Sequence, residues 1–249
     1  MTATTTNLLL IRHGLTDYVT AHRMPGWQRG IHLNDEGHAQ AAALARRLAG
    51  VNLAAVYSSP LERAVETAAP LSDARGLSVS LLDALIDLNP GDWTDRLAKD
   101  LAQEALWASI QAHPGEARLP GGESFQECQA RMVDALSAIL GRHPGQTVAV
   151  VSHADPIKMV VAHFLGLPLD LFRRLSVSPA SVTVLAFEPT GPCLICLNYT
   201  DPPVIPNTAI SSVIHKDPLQ GMTCRADGDP RQGARGCEAK NLSENAQEQ

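Results

Sequence analysis

The chain of 249 residues has few aromatic side chains (4%), only five cysteines and no long uncharged apolar run. Without a window of about 18 such residues, no transmembrane helix is expected. The opening MTATTTNLLL lacks the basic stretch of a secretory signal, so the expected location is cytoplasmic. Cys128, Cys193, Cys196, Cys224 and Cys237 form no even framework, which fits a reducing compartment. Cys193 and Cys196 spell C-x-x-C within the apolar run PCLICLNY, which reads as a strand. Residues three apart on a strand face opposite sides, so these two are expected as small buried hydrophobes rather than a metal or redox pair. No lysine- or arginine-rich run occurs either, and 20 Lys+Arg against 26 Asp+Glu leave a formal charge of −6. That balance argues against nucleic acid or an anionic membrane as partner. An anionic ligand would have to be held by a few local cations.

Several catalytic signatures are also missing: the G-x-x-x-x-G-K-[ST] loop, the Cys-x5-Arg loop and the G-x-S-x-G elbow. None of the nine histidines stands three or four residues from another, so a metal site is not expected, although His153-Ala-Asp155 could be read as a ligand pair.

What is present is an alternation of strand and helix signals over residues 5–199. TNLLLIR, LAAVYSS and QTVAVVSH read as buried strands. Asn34 reads as the N-cap of a helix ending near Gly50, and Pro60 as a first-turn residue of the next. A helix is expected within 95–112, a long one after Gly121-Gly122, and a short one from Pro156 to Phe164; SVTVLAF and PCLICLN close as a pair of strands. Such alternation implies an α/β domain with a mainly parallel central sheet covered on both faces. From Thr200 to Gln249 there is no Phe, Trp or Tyr and five prolines occur, so 200–249 is expected to be a disordered tail.

In open α/β sheets, ligands bind beyond the carboxyl ends of strands. Those ends carry Arg12-His13-Gly14, Ser58-Ser59-Pro60 with Arg63 a turn later, and Ser152-His153. Each residue alone is commonplace. Together, two guanidinium forks and two imidazoles make an anion site with a nucleophile, and the arginines would keep His13 unprotonated.

LLLIRHGLT, followed in register by HLNDEGHAQAAALARRL, VYSSPLERAVETA, LIDLNPGDW, LPGGESFQECQARMVDAL, VAVVSHADPIKMVVAHFLGLPL and SPASVTVLAF, resembles the phosphoglycerate mutase-like branch of the histidine phosphatase superfamily. The resemblance covers roughly residues 7–198. It implies a three-layer α/β/α sandwich and, with no metal or other cofactor, a phosphohistidine intermediate on His13. Arg12, Arg63 and His153 would bind the phosphoryl oxygens, with Gly14, Thr16 and the Ala154 N–H as further substrate contacts.

The proton donor to the leaving group would be Asp87, where the family pattern usually has Glu; Asp92 and Glu123 are the alternatives. An aspartate must rise from its ordinary pKa near ~3.9 to serve. Val19 replaces a familiar Asn, with the loop HRMPGW as a compensating element. Ala154-Asp155 replaces the usual Gly-Gly, and Asp155 is expected to cap the following helix rather than meet an anionic substrate.

Residues 88–120 are expected to cap the crevice, with Leu106, Trp93 and Trp107 either lining it or packing helices. This 33-residue stretch is shorter and less basic than the insertion of the family's mutases. The implied activity is therefore hydrolysis of small phosphomonoesters, with mutase-type transfer or a weakened binding module as alternatives.

Overall fold

Leu8, Leu9, Leu10 and Ile11 are all fully buried in the computed structural model, which describes residues 4–200. They form β1 (Thr6–Arg12), and their side chains divide between the two faces of one sheet. Leu8 and Leu10 join Val148 and Val150 against Met132, Leu136, Ile157 and Val160. Leu9 and Ile11 join Ala149 and Val151 against Leu44, Leu48, Ala64 and Ala68. An apolar run with no polar alternation is what a strand covered on both faces requires.

The covering helices are α2 (Asp35–Arg47) and α3 (Glu62–Asp73) on one face, and α6 (Phe125–Arg142) and α7 (Ala154–Phe164) on the other. Short α1 (Asp17–Thr20) precedes α2, and short α4 (Ala98–Leu101) and α5 (Ala105–Ala112) lie between α3 and α6 in sequence. The six-stranded sheet has the order β3-β2-β4-β1-β5-β6. Here β2 is Ala55–Ser58, β3 Val79–Leu81, β4 Thr147–Ser152, β5 Val182–Glu188 and β6 Gly191–Tyr199. The pairs β3/β2, β2/β4 and β4/β1 are parallel, whereas the pairs β1/β5 and β5/β6 are antiparallel. The result is a three-layer α/β/α sandwich with a mainly parallel sheet.

Register decides where the site lies. Arg12 pairs with Ser152 across β1/β4, and Ser58 with Val151 across β2/β4, so three parallel strands end at one level. Their C-terminal loops therefore open on one crevice.

Several expected boundaries move. Pro60 stands outside α3, whose N-cap is Leu61. The single helix expected within 95–112 is two, α4 and α5, broken at 102–104. α7 starts at Ala154 with His153 at the N-cap, so Asp155 lies inside the first turn and caps nothing; its carboxylate meets Lys158 at 3.2 Å. Cys193 and Cys196 are on β6 as expected, but half-buried rather than buried. Trp93 and Trp107 pack on each other with centroids 5.9 Å apart, inside a third apolar cluster that includes Leu101, Phe125 and Phe172 and against which Leu106 packs. Among the described residues no helix is long and apolar enough to cross a membrane. The expected tail falls, from residue 201 on, outside the described residues.

Asn34 does cap α2, its Oδ1 accepting from the Gly37 N–H at 2.9 Å. Ser124 and Glu127 form a reciprocal capping box at the start of α6. Leu9→Ala is expected to cost ~2–5 kcal/mol of unfolding free energy in a urea titration, because the cavity is enclosed on all sides. Ser124→Ala should cost only about 1 kcal/mol.

Candidate active site

His13 and His153 follow directly from β1 and β4, and their ring centroids are 5.2 Å apart. Arg12 at the end of β1 donates through Nη1 to the Val177 carbonyl at 2.8 Å, which aims its guanidinium. Arg63, in the first turn of α3, has no exposed surface; its Nη2 donates to the Gly26 carbonyl (2.8 Å) and to Asp87 Oδ2 (3.3 Å). Gly26 has φ of +48°, and a Cβ there would enter the Pro90 ring, so this carbonyl position suits glycine.

His13 Nδ1 lies 2.7 Å from the Gly14 carbonyl. A carbonyl only accepts, so Nδ1 carries the proton and Nε2 keeps its lone pair. Burial, then the charges of Arg63 and Arg12, holds the His13 pKa well below the ordinary imidazole value. Burial and Arg63 do the same for His153, whose Nε2 meets Ser59 Oγ at 2.9 Å and whose Nδ1 faces Asp87 Oδ2 at 3.6 Å.

Asp87 stands between these groups. Burial pushes its pKa up to about 6 against the opposing pull of Arg63. Its Oδ1 accepts from the Leu88 N–H at 2.9 Å. The crevice thus sets an imidazole kept neutral beside a carboxyl that can hold a proton, the two protonation states that nucleophilic attack and general acid chemistry require.

A cavity of about 290 Å³ opens over this cluster, and Arg12, His13, Asp87, Ala154 and Asp155 are on its wall. Val19 and His22 through Gly26 line it as well, so the HRMPGW loop does border the crevice. From 88–120, Leu88, Pro90 and Ala98 contribute. Gly14 and Thr16 are not on the wall: the Gly14 N–H donates to Thr67 Oγ1 at 2.9 Å, and Thr16 is buried as the N-cap of α1. Among the described residues no group of three or more His, Cys, Asp or Glu side chains could hold a metal ion.

The profile of the histidine phosphatase superfamily (branch 1) matches residues 8–200. The chain belongs to that superfamily. Phosphoserine phosphatase 1 of Hydrogenobacter thermophilus is 30% identical over 198 residues, covering 78% of this chain and 92% of that protein. A protein named "Probable phosphoglycerate mutase GpmB" from Erwinia tasmaniensis is 34% identical over 176 residues, 70% of this chain and 81% of its own. The solved α-ribazole phosphatase of Shigella flexneri superposes with a TM-score of 0.71 at 28% identity, covering 80% of this chain and 100% of that one. The chain spans about half the length (52%) of mycobacterial relatives to which it is 34% identical.

Of the other two carboxylates weighed as acids in this histidine phosphatase, Glu123 is engaged by Arg131, at 2.6 Å from Nε. Asp92 is exposed and off the cavity wall. Arg131 itself was not singled out by sequence reasoning. It donates to the carbonyls of Ala84 (2.9 Å), Ile86 (2.8 Å) and Asp87 (2.7 Å), and so clamps the turn that carries Asp87. Trp27 Nε1 donates to the same Asp87 carbonyl at 2.6 Å. One signal for Arg131 existed: it falls three residues after Cys128 on the buried stripe of α6, where a cation needs internal partners.

Asp87 links the site to stability. A carboxyl with a folded pKa raised to about 6 contributes stability that is complete below its unfolded pKa near ~4 and is lost as pH rises through 6. Urea titrations between pH 4 and 8 should show this fall in the wild type. In Asp87→Asn the contribution should be absent, leaving a flatter profile.

Proposed function

We propose that this histidine phosphatase hydrolyses small phosphomonoesters through a phosphohistidine on His13, with Asp87 as the acid. The observation that carries the reading is the paired protonation of the two groups: His13 Nδ1–H is committed to Gly14, leaving the Nε2 lone pair, while Asp87 sits near pKa 6 on the same crevice wall.

The incoming phosphate meets Arg12 and competes with Asp87 for Arg63. His13 Nε2 attacks phosphorus in line as the ester P–O bond breaks, and the leaving oxygen takes the Asp87 proton. Water then attacks the phosphohistidine, Asp87 accepts its proton, and the P–N bond breaks to release phosphate and restore the lone pair. The guanidinium groups of Arg12 and Arg63, with His153, stabilise charge on the transferring oxygens; the reaction needs positioning and electrostatics more than further covalent chemistry.

Residues 5–199 carry this machinery. The formal charge of −6 supports a small-molecule partner rather than nucleic acid, and the cysteine pattern supports a cytoplasmic location. Likeness to the protein named as a mutase favours one second reading, phosphoryl transfer between phosphoglycerates.

The deciding assay measures phosphate release from a panel of monoesters, with and without EDTA, beside conversion of 3-phosphoglycerate with 2,3-bisphosphoglycerate. Phosphate release unaffected by EDTA is expected; fast isomer conversion with negligible release would favour the mutase. His13→Ala should abolish both turnover and acid-labile phosphate labelling. On alkyl phosphates, kcat/KM should fall as pH rises through about 6, where Asp87 loses its proton. Asp87→Asn should cost such substrates roughly 10²-fold, and p-nitrophenyl phosphate, with its better leaving group, much less.

A further inference from the structure

The two histidines of the site differ in what their ring nitrogens meet. Both rings are buried, and burial with the charge of Arg63 keeps both neutral. A neutral imidazole carries one proton, and the bond made by one nitrogen decides what the other presents. For His13 the Gly14 carbonyl takes the Nδ1 proton, so Nε2 presents a lone pair.

His153 makes its short contact through Nε2, 2.9 Å from Ser59 Oγ. Its Nδ1 is buried without a hydrogen-bond partner and faces Asp87 Oδ2 at 3.6 Å. Ser59 has no exposed surface and is held in place from both sides: its N–H donates to the Val151 carbonyl at 2.9 Å, and its Oγ accepts from the Leu61 N–H at 3.4 Å. The hydroxyl has one hydrogen to give, and among the described residues His153 Nε2 is the acceptor within its reach. Were Nε2 protonated, that hydrogen would be buried without an acceptor, and the Nδ1 lone pair would face a carboxylate. With the hydroxyl donating to Nε2, both mismatches vanish, and Nδ1–H is turned toward Asp87 and the phosphoryl position beside Arg63. Unmade hydrogen bonds in a buried site are costly, which favours the second arrangement.

We propose that Ser59 is a positioning residue for His153: its hydroxyl holds the imidazole in the Nδ1–H tautomer, so that this histidine donates to the phosphoryl group instead of acting as a second base. A backbone carbonyl and a hydroxyl thereby fix the two imidazoles in opposite roles, one presenting a lone pair and the other an N–H. The inference rests on the hydrolase reading for what Nδ1–H meets, whereas the tautomer itself is measurable without substrate.

15N NMR of the full chain labelled at histidine reads the proton position at pH 8, where Asp87 is ionised. His153, one of nine histidines, is assigned by its absence from His153→Gln. The expected wild-type spectrum has the proton on Nδ1 and none on Nε2, and the Nδ1 signal moves when inorganic phosphate is added. A proton on Nε2 would overturn the inference, as would phosphate that shifts His13 alone. Ser59→Ala should populate both tautomers and lower kcat/KM for p-nitrophenyl phosphate about tenfold, the worth of one hydrogen bond. Ser59→Thr, which keeps the hydroxyl, should restore the Nδ1–H form and most of the activity. A merely structural serine would lower activity without moving the proton, so a Ser59→Ala that stays wholly in the Nδ1–H form refutes the assignment. Should Ser59→Ala fold poorly, the wild-type spectrum and Ser59→Thr decide. No phosphate release from any monoester would sink the hydrolase reading, while the tautomer still stands or falls by the spectrum.

Discussion

A guanidinium with no exposed surface must find every partner inside the protein, and Arg63 is such a group. Removing a charge from water costs several kcal/mol unless hydrogen bonds and an opposite charge offset it. Arg63 obtains that compensation from the Gly26 and Gln28 carbonyls and from Asp87. One buried cation thereby ties the loop after α1 and the turn after β3 to the start of α3. The turn carrying Asp87 is held from its other side by Arg131, through three carbonyls, and by Ser152 Oγ, which donates to the Leu85 carbonyl at 2.8 Å. The crevice is assembled from separate stretches of chain because these polar groups have nowhere else to be satisfied.

The same burial sets the protonation states. Desolvation disfavours whichever form is charged, so it lowers the pKa of His13 and raises that of Asp87. The arginines reinforce the first effect and oppose the second, and for Asp87 burial prevails. Near neutral pH the site thus holds an unprotonated imidazole and, close by, a carboxyl that titrates in a usable range. Asp155 adds a further negative charge that favours the protonated form of Asp87.

The cap over the crevice answers to a different force. Leu88, Trp93, Leu101, Ile110, Phe125, Met159 and Phe172 share one apolar cluster, which fastens residues 88–119 to α6 and α7. That is why Trp93 and Trp107 belong to packing rather than to the cavity wall. From this stretch, Leu88, Pro90 and Ala98 reach the cavity wall.

How much of this was legible beforehand follows from the range of the forces involved. β1 and β4 could be read from unbroken apolar runs, α2 and α6 from caps and periodicity, and Arg12, His13 and His153 from their places just beyond strand ends. These depend on neighbours within a few residues. Pro60, the break between α4 and α5, and the true start of α7 were misjudged where local cues competed, as when Pro156 suggested a first turn but the helix already began at Ala154. The clamp of Arg131 on Ala84, Ile86 and Asp87 spans more than forty positions of chain, and no local pattern encodes which carbonyls a buried cation will find. The sequence by itself determined the layers, the strand ends and the chemical types at the site. Only the tertiary structure decided that Asp87 sits beside Arg63 and His153 and that Asp155 faces the cavity, because desolvation and charge pairing depend on distance in space rather than along the chain.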